Sequence, residues 1–258
     1  MPALRFAVLG SGSRGNATLI SCGGTRLLID CGFTIEDTCQ RLARLGEDAS
    51  SLTAILVTHE HGDHLRGVGP LSRRFGIPVW MTPGTYAAAR SRAGTTLAPP
   101  HYFDPHTPFA VGDLHVTPLP VPHDAREPSQ FVVGDGARRL GVLSDAGHVT
   151  PHMVDSLHGV DALLLEANHD PIMLAEGPYP ASLKARVGGG LGHLSNAQSA
   201  ALAGAMDGSR LRHVALTHLS EQNNTPDLAR CAVAEALGCE AHWLAVADQA
   251  NGLDWRSL

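Results

Sequence analysis

Thr58-His59-Glu60-His61-Gly62-Asp63-His64 puts three imidazoles and the Asp63 carboxylate within six positions, directly after the apolar run Ala54-Ile55-Leu56-Val57. A strand over that run delivers the cluster to the rim of a sheet, where ligands can converge on metal. Imidazole nitrogen with carboxylate oxygen suits zinc or manganese, with iron as a further option, and the His-x-His-x-Asp-His order holds enough donors for two ions. His59 and His61 alternate, so both point the same way off an extended backbone. Asp63 and His64 follow the start of a turn and must aim elsewhere, which gives one pair per ion. A solvated loop that happens to be rich in histidine is the competing reading. The heptapeptide is read as a metal site.

Working outward, four more segments place a ligand-type side chain after a strand-like run. His123 closes Val116 to Pro122, and Asp145 follows Leu140-Gly141-Val142-Leu143-Ser144. Glu166 ends Leu163-Leu164-Leu165, with Asn168-His169-Asp170 behind it, and His218 ends His213-Val214-Ala215-Leu216-Thr217. Each alone reads as a surface or core-capping residue; four together at strand ends read as a site. The last of these strands also echoes the first. Both are apolar and end in Thr-His, about 160 positions apart. If the halves pack as two sheets face to face, the two Thr-His ends can share one cleft, although a single echo is open to coincidence.

Strand-like runs cover 4–10, 18–22, 26–31, 54–58, 78–82, 114–121, 130–134, 139–144, 161–166, 212–217 and 241–246. Helical patterns fit 35–46, 65–75, 84–93, 150–157, 195–206 and 226–237. Ser195-Asn196-Ala197-Gln198 can cap one helix, and Thr225-Pro226 puts proline at the first helical position of another. No linker interrupts the chain, so residues 1–258 are read as one α/β domain.

The chain has 258 residues, 43% of them hydrophobic and 17% charged, which suits a globular protein with a substantial core. Aromatics are 5%, so that core is built mainly from Ala, Val and Leu. No run approaches the roughly eighteen apolar residues of a membrane span, and Leu4 to Leu9 already reads as a strand rather than a leader, so no membrane partner is expected. Five cysteines without a Cys-x-x-Cys pair fit a reduced, cytoplasmic setting. The net charge of −6 does not attract nucleic acid to the whole molecule, but two divalent cations would add four positive charges where they sit.

These residues carry a family resemblance over nearly the whole length. Leu28-Ile29-Asp30-Cys31-Gly32 resembles the first motif of the metallo-β-lactamase superfamily and Thr58 to His64 the second. His123, Asp145 and His218 resemble its third, fourth and fifth metal motifs, in order. Gly10-Ser11-Gly12-Ser13-Arg14-Gly15-Asn16, Glu166-Ala167-Asn168-His169-Asp170, Gly177-Pro178-Tyr179-Pro180, Gly192-His193-Leu194-Ser195-Asn196 and Leu219-Ser220-Glu221-Gln222-Asn223-Asn224 resemble the YycJ/WalJ-like subgroup. The resemblance implies a four-layer αββα sandwich with metals at one edge. It implies that His59, His61 and His123 hold one ion, that Asp63, His64 and His218 hold the other, and that Asp145 bridges them. The interval from Asp145 to His218 is too short for an inserted β-CASP domain.

Two divalent ions roughly 3.5–4 Å apart turn a bridging water into hydroxide at neutral pH, so the chemistry expected is hydrolysis, with Asp63 orienting the water. Three features favour a phosphodiester. The Gly10–Gly15 loop, with Ser13 and Asn16 as substrate contacts, is a potential anion nest, or else a glycine-rich turn. In RNase Z-like relatives a histidine in a phrase like that around His193 contacts the phosphate or protonates the leaving oxygen. Glu166 resembles the carboxylate that orients it, which makes a general acid/base relay. Lys184, the only lysine, and Arg186 are candidate backbone contacts, or an ordinary solvated helix face. The expectation is a two-metal phosphodiesterase acting on nucleic acid, a DNA exonuclease in particular. The alternative is a hydrolase of small thioesters, lactones or β-lactams on the same site, since fold does not fix substrate.

Overall fold

Leu27-Leu28-Ile29 and Ala54-Ile55-Leu56 are buried on both faces, the signature of strands covered on one side by a second sheet and on the other by helices. The computed structural model describes residues 3–91 and 97–258. Its first half runs β1 (Arg5–Gly10), β2 (Ala17–Cys22), β3 (Thr25–Ile29), α1 (Ile35–Arg44), β4 (Ala54–Leu56), α2 (Gly62–Leu65), α3 (Val68–Phe75), β5 (Val79–Met81), α4 (Pro83–Ser91) and β6 (His101–Tyr102). The second half opens with β7 (Phe109–Val111), β8 (Leu114–Pro120), β9 (Ser129–Gly134), β10 (Arg139–Leu143), α5 (Pro151–Leu157) and β11 (Ala162–Glu166). It closes with α6 (Pro171–Glu176), α7 (Ala181–Val187), α8 (Asn196–Ala205), β12 (His213–Thr217), α9 (Pro226–Leu237), β13 (Ala245–Val246) and β14 (Leu253–Ser257).

The strands form two seven-stranded sheets, ordered β14-β1-β2-β3-β4-β5-β6 and β13-β12-β11-β10-β9-β8-β7. Each is mixed: β3 to β6 and β10 to β13 run parallel, and the rest are antiparallel. Because side chains alternate along a strand, each sheet feeds two cores. Leu27, Ile29 and Leu56 of one sheet meet Val116, Phe131 and Leu164 of the other. The intervening Leu28 and Ile55 face α1 and α3 through Leu42 and Leu71. On the far side, Leu163, Leu165 and Leu216 pack under α5, α8 and α9 through Leu157, Leu202 and Val233. The layers are therefore αββα, as the resemblance implies.

Local chemistry sets the helix starts. Ser195 and Gln198 form a reciprocal capping box on α8, and Thr225 caps α9 with Pro226 in its first turn. Other expectations need correcting. The helix read over 65–75 splits into α2 and α3 at Gly67, where an added Cβ would lie 2.2 Å from the Phe33 carbonyl oxygen. The strand read over 241–246 is a 3₁₀ turn at Ala241–Trp243 followed by the short β13. The helix read over 84–93 is α4, and positions 92 and 93 lie outside the described residues. Strands β6, β7 and β14 and helices α6 and α7 were not anticipated. Among the described residues no helix is long and apolar enough to cross a membrane.

Candidate metal centre

The parallel strands deliver their carboxyl ends to one rim, where the chain bends abruptly. Asp30 after β3, Asp145 after β10 and His218 after β12 have φ of 61°, 52° and 55°. Among the described residues they are the only non-glycine residues in the left-handed region. Asp and His tolerate that region better than most residues, and such strain, about 1–3 kcal/mol each, collects where surrounding structure enforces it.

Past β4 the chain bends at Glu60 and enters α2 from an extended His61, so Asp63 and His64 project from a helical turn. His59, His61 and His123 bring ligand atoms within 4.8 Å of one another, and so do Asp63, His64 and His218. His61 Nδ1 is 3.2 Å from His123 Nε2. The Asp145 carboxylate lies between the two groups, with Oδ2 3.1 Å from His64 Nε2 and Oδ1 3.5 Å from His218 Nε2 and 4.0 Å from His123 Nε2. Asp63 Oδ2 approaches His64 Nε2 at 3.5 Å and His218 Nε2 at 3.6 Å. All seven side chains singled out in the sequence therefore share one cluster.

Hydrogen bonds from behind fix which nitrogen faces inward. His64 Nδ1 donates to Asp30 Oδ2 at 2.7 Å, His59 Nδ1 to Thr58 Oγ1 at 2.9 Å and His123 Nδ1 to the Gly192 carbonyl at 3.0 Å. Thr58 in turn donates its hydroxyl and its N–H to Asp30. This network, from which the tautomers are assigned, turns the Nε2 atoms of these three rings inward. His61 is reversed: its Nδ1 faces inward and its Nε2 lies 3.6 Å from Asp124 Oδ1.

The donor set fits divalent cations. His59 Nε2 and His218 Nε2 are buried without a hydrogen-bond partner, a costly state that a metal relieves. Burial and the neighbouring His64 hold His59 well below the ordinary histidine pKa. Burial also opposes charge on His64 and His218, yet carboxylates win: Asp145 and Asp30 hold His64 well above its ordinary value, and Asp145 with Asp63 holds His218 at about 9. Asp145 and Asp63 are pushed below the usual carboxylate range by these imidazoles, against their own burial. The field at the centre thus calls for positive charge, which bound cations supply.

Beside the cluster, His193 Nδ1 is 2.8 Å from Glu166 Oε1, and the His193 ring stacks on His218 at 5.1 Å between centroids. Glu166 is fully buried, and its Oε2 accepts the N–H groups of Ala146 and Leu194. His193, His61, Asp63, His218, Ser13 and Arg186 all line a cleft of about 380 Å³. Arg186 reaches into it while its Nε donates to Asp124 Oδ2 at 2.6 Å.

Other expected contacts sit elsewhere. Asn16 is buried; it braces its own loop through Gly12 and turns its amide nitrogen to His64 Nε2 at 3.1 Å. The N–H groups of Ser11, Gly12, Arg14 and Gly15 are already bonded within the protein, so the Gly10–Gly15 loop is a turn rather than an anion nest. Lys184 stands outside the cleft lining and donates to the Ala175 carbonyl at 2.6 Å. Asn168 supports His218 from behind, donating to its carbonyl at 2.9 Å. The bracing role of Asp30 and the place of Asp124 were not assigned from the sequence, although Asp124 directly follows His123.

Fold and site together define a metal-dependent hydrolase. The family description "Beta-lactamase superfamily domain" matches residues 25–219. The chain is similar to exodeoxyribonuclease YycJ of Bacillus anthracis, with 33% identity over 235 residues that cover 91% of this chain and 89% of that protein. It is also similar to exodeoxyribonuclease WalJ of Streptococcus pneumoniae, with 31% identity over 255 residues, 98% of this chain and 92% of that one. In fold it resembles the metallo-β-lactamase fold protein YhfI from Bacillus subtilis, at a TM-score of 0.77 and 17% identity, with both chains covered in full. The chain belongs to the β-lactamase superfamily, in its metallo-β-lactamase branch and YycJ/WalJ-like subgroup.

Proposed function

We propose that this chain is a two-metal phosphodiesterase that degrades DNA as an exodeoxyribonuclease. The observation that carries the reading is the His193–Glu166 pair beside the ligand cluster, in the same cleft as Arg186. A phosphodiester needs what this pair supplies, a proton for a poor alkoxide leaving group, whereas a thioester, which releases a stable thiolate, needs it less. The names of the relatives YycJ and WalJ support deoxyribonucleic acid as the polymer.

His59, His61 and His123 would hold one ion and Asp63, His64 and His218 the other, with Asp145 shared. When bound, two Zn or Mn ions activate water and neutralise charge on the phosphoryl oxygens. The chain's own residues do the rest. Asp63, one carboxylate oxygen of which faces the cluster, orients the attacking water. Arg186 holds a phosphate oxygen at the mouth of the cleft, and Ser13 lines the same approach. The attacking water gives one proton to solvent as it is activated; as its oxygen bonds to phosphorus and the bond to the leaving sugar oxygen breaks, His193 Nε2 gives that leaving oxygen a proton. Glu166 keeps Nδ1 engaged so that Nε2 is the atom presented. Asn16 acts behind the ligands, and Lys184 acts through α7 rather than on the phosphate.

Residues 1–258 work as one domain in this reading, because both sheets share a continuous core. Five free cysteines fit a reduced, cytoplasmic setting.

The test is hydrolysis of labelled double-stranded DNA, single-stranded DNA and RNA by metal-loaded protein and by Asp63→Ala, beside a panel of thioesters, lactones and β-lactams. DNA cleavage lost in the variant supports the proposal. Variant-sensitive turnover confined to the small-molecule panel overturns it.

A further inference from the structure

The Gly177-Pro178-Tyr179-Pro180 segment joins α6 to α7 and has no part in hydrolysis, yet it brings Tyr179 to the cleft that holds the metal-ligand cluster. Leu183 and Val187 of α7 line the same cleft. The Tyr179 ring is half-buried and makes no contact with another aromatic ring, and its hydroxyl makes no hydrogen bond among the described residues. The backbone around it is tightly set. A Cβ on Gly177 would lie 2.5 Å from Asn223 Oδ1 and 2.6 Å from the Met173 carbonyl oxygen, so only glycine allows that approach. Pro178 and Pro180 then restrict the backbone on both sides of the tyrosine. Helix α7 buries none of its residues; it is held by Lys184 Nζ on the Ala175 carbonyl, by Arg186 on Asp124 and by the Val187 carbonyl on the His193 N–H.

An aromatic face on a restricted backbone beside phosphate-handling groups meets one part of a nucleotide chain, its planar base. We propose that Tyr179 is a stacking platform for an unpaired nucleobase next to the scissile phosphate, with Leu183 and Val187 as its apolar border. The inference rests on the phosphodiesterase reading. It adds a substrate class: a strand whose terminal base is free to leave its stack, which every base can satisfy because each has a π-face. The cleft, about 380 Å³, is at the small end of ligand sites and suits one nucleotide rather than a duplex end.

The experiment compares two oligonucleotides, identical except that one carries an abasic residue next to the scissile phosphate, against wild type, Tyr179→Phe and Tyr179→Ala. Both the Kd, read by fluorescence anisotropy, and kcat/KM are measured. Tyr179→Ala is expected to lose roughly 5- to 100-fold on the normal strand, Tyr179→Phe to stay near wild type, and all three to converge on the abasic strand. Tyr179 is half-exposed, in a segment that leads into a helix without buried residues, and the phenylalanine variant controls for folding. If wild type cleaves both strands and Tyr179→Ala matches it on each, or loses equally on each, stacking is overturned while phosphodiesterase activity stands. If wild type cleaves neither strand, the phosphodiesterase reading itself falls and the stacking role with it.

Discussion

Asp30 and His64 are 34 positions apart in sequence and 2.7 Å apart in space, carboxylate oxygen to Nδ1. The bond settles which nitrogen of His64 faces the cluster, and Asp30 is held for it by the N–H and hydroxyl of Thr58. Asp30→Asn keeps the shape but removes the charge and can set an amide N–H₂ against Nδ1. The imidazole then turns its proton inward. Metal affinity should drop by about 10- to 100-fold, measured by competition with a chelating dye. Unchanged affinity would show that Asp30 does not set the tautomer.

Removing the metals should destabilise the protein, because the cluster leaves buried nitrogens without partners and gathers carboxylates. A ligand at 100 times its Kd stabilises the native state by about 2.7 kcal/mol. Thermal melting with and without chelator should show a drop in Tm of several degrees, restored by Zn or Mn. Coincident melts would contradict the ligand assignment.

Gly32 is where the chain leaving β3 passes the backbone of Asp63. An added Cβ would sit 1.8 Å from the Asp63 carbonyl oxygen, itself the acceptor of the Asn16 N–H at 2.8 Å. Gly32→Ala must therefore push the Asp63 turn away. Urea unfolding should report a loss of about 2 kcal/mol or more, and bound metal per chain should fall.

Among the described residues the Arg186 side chain is tied to the protein by a single hydrogen bond, at its Nε, so the rest of its guanidinium is available at the cleft mouth. Arg186→Ala should raise KM for DNA several-fold with little change in kcat, and should lower the slope of log affinity against log salt by about one. A loss confined to kcat would place Arg186 in the chemical step instead.

The layer order and the ligand cluster were legible because each depends on short local patterns. An apolar run ending in His or Asp marks both a strand and its rim, as at Val57-Thr58-His59 and Thr217-His218. What the sequence hid depends on convergence. Lys184 and Arg186 are two positions apart on α7, yet one folds back on Ala175 and the other reaches the cleft. The Gly10–Gly15 loop offers its N–H groups on paper, but Asp248, Gln249 and Asn16 take most of them. Strand β14 carries no clear pattern because Leu253-Asp254-Trp255-Arg256-Ser257 is short and polar at three of its five places, and it lies at the edge of its sheet.

In the proposed mechanism His193 protonates the leaving oxygen. That step is tested by comparing His193→Ala with wild type on DNA and on the p-nitrophenyl ester of thymidine monophosphate, whose leaving group departs without a proton. Loss of about 10²- to 10⁴-fold in kcat on DNA, with the p-nitrophenyl ester nearly unaffected, is the predicted result. Equal losses on both substrates, or none on DNA, would contradict it.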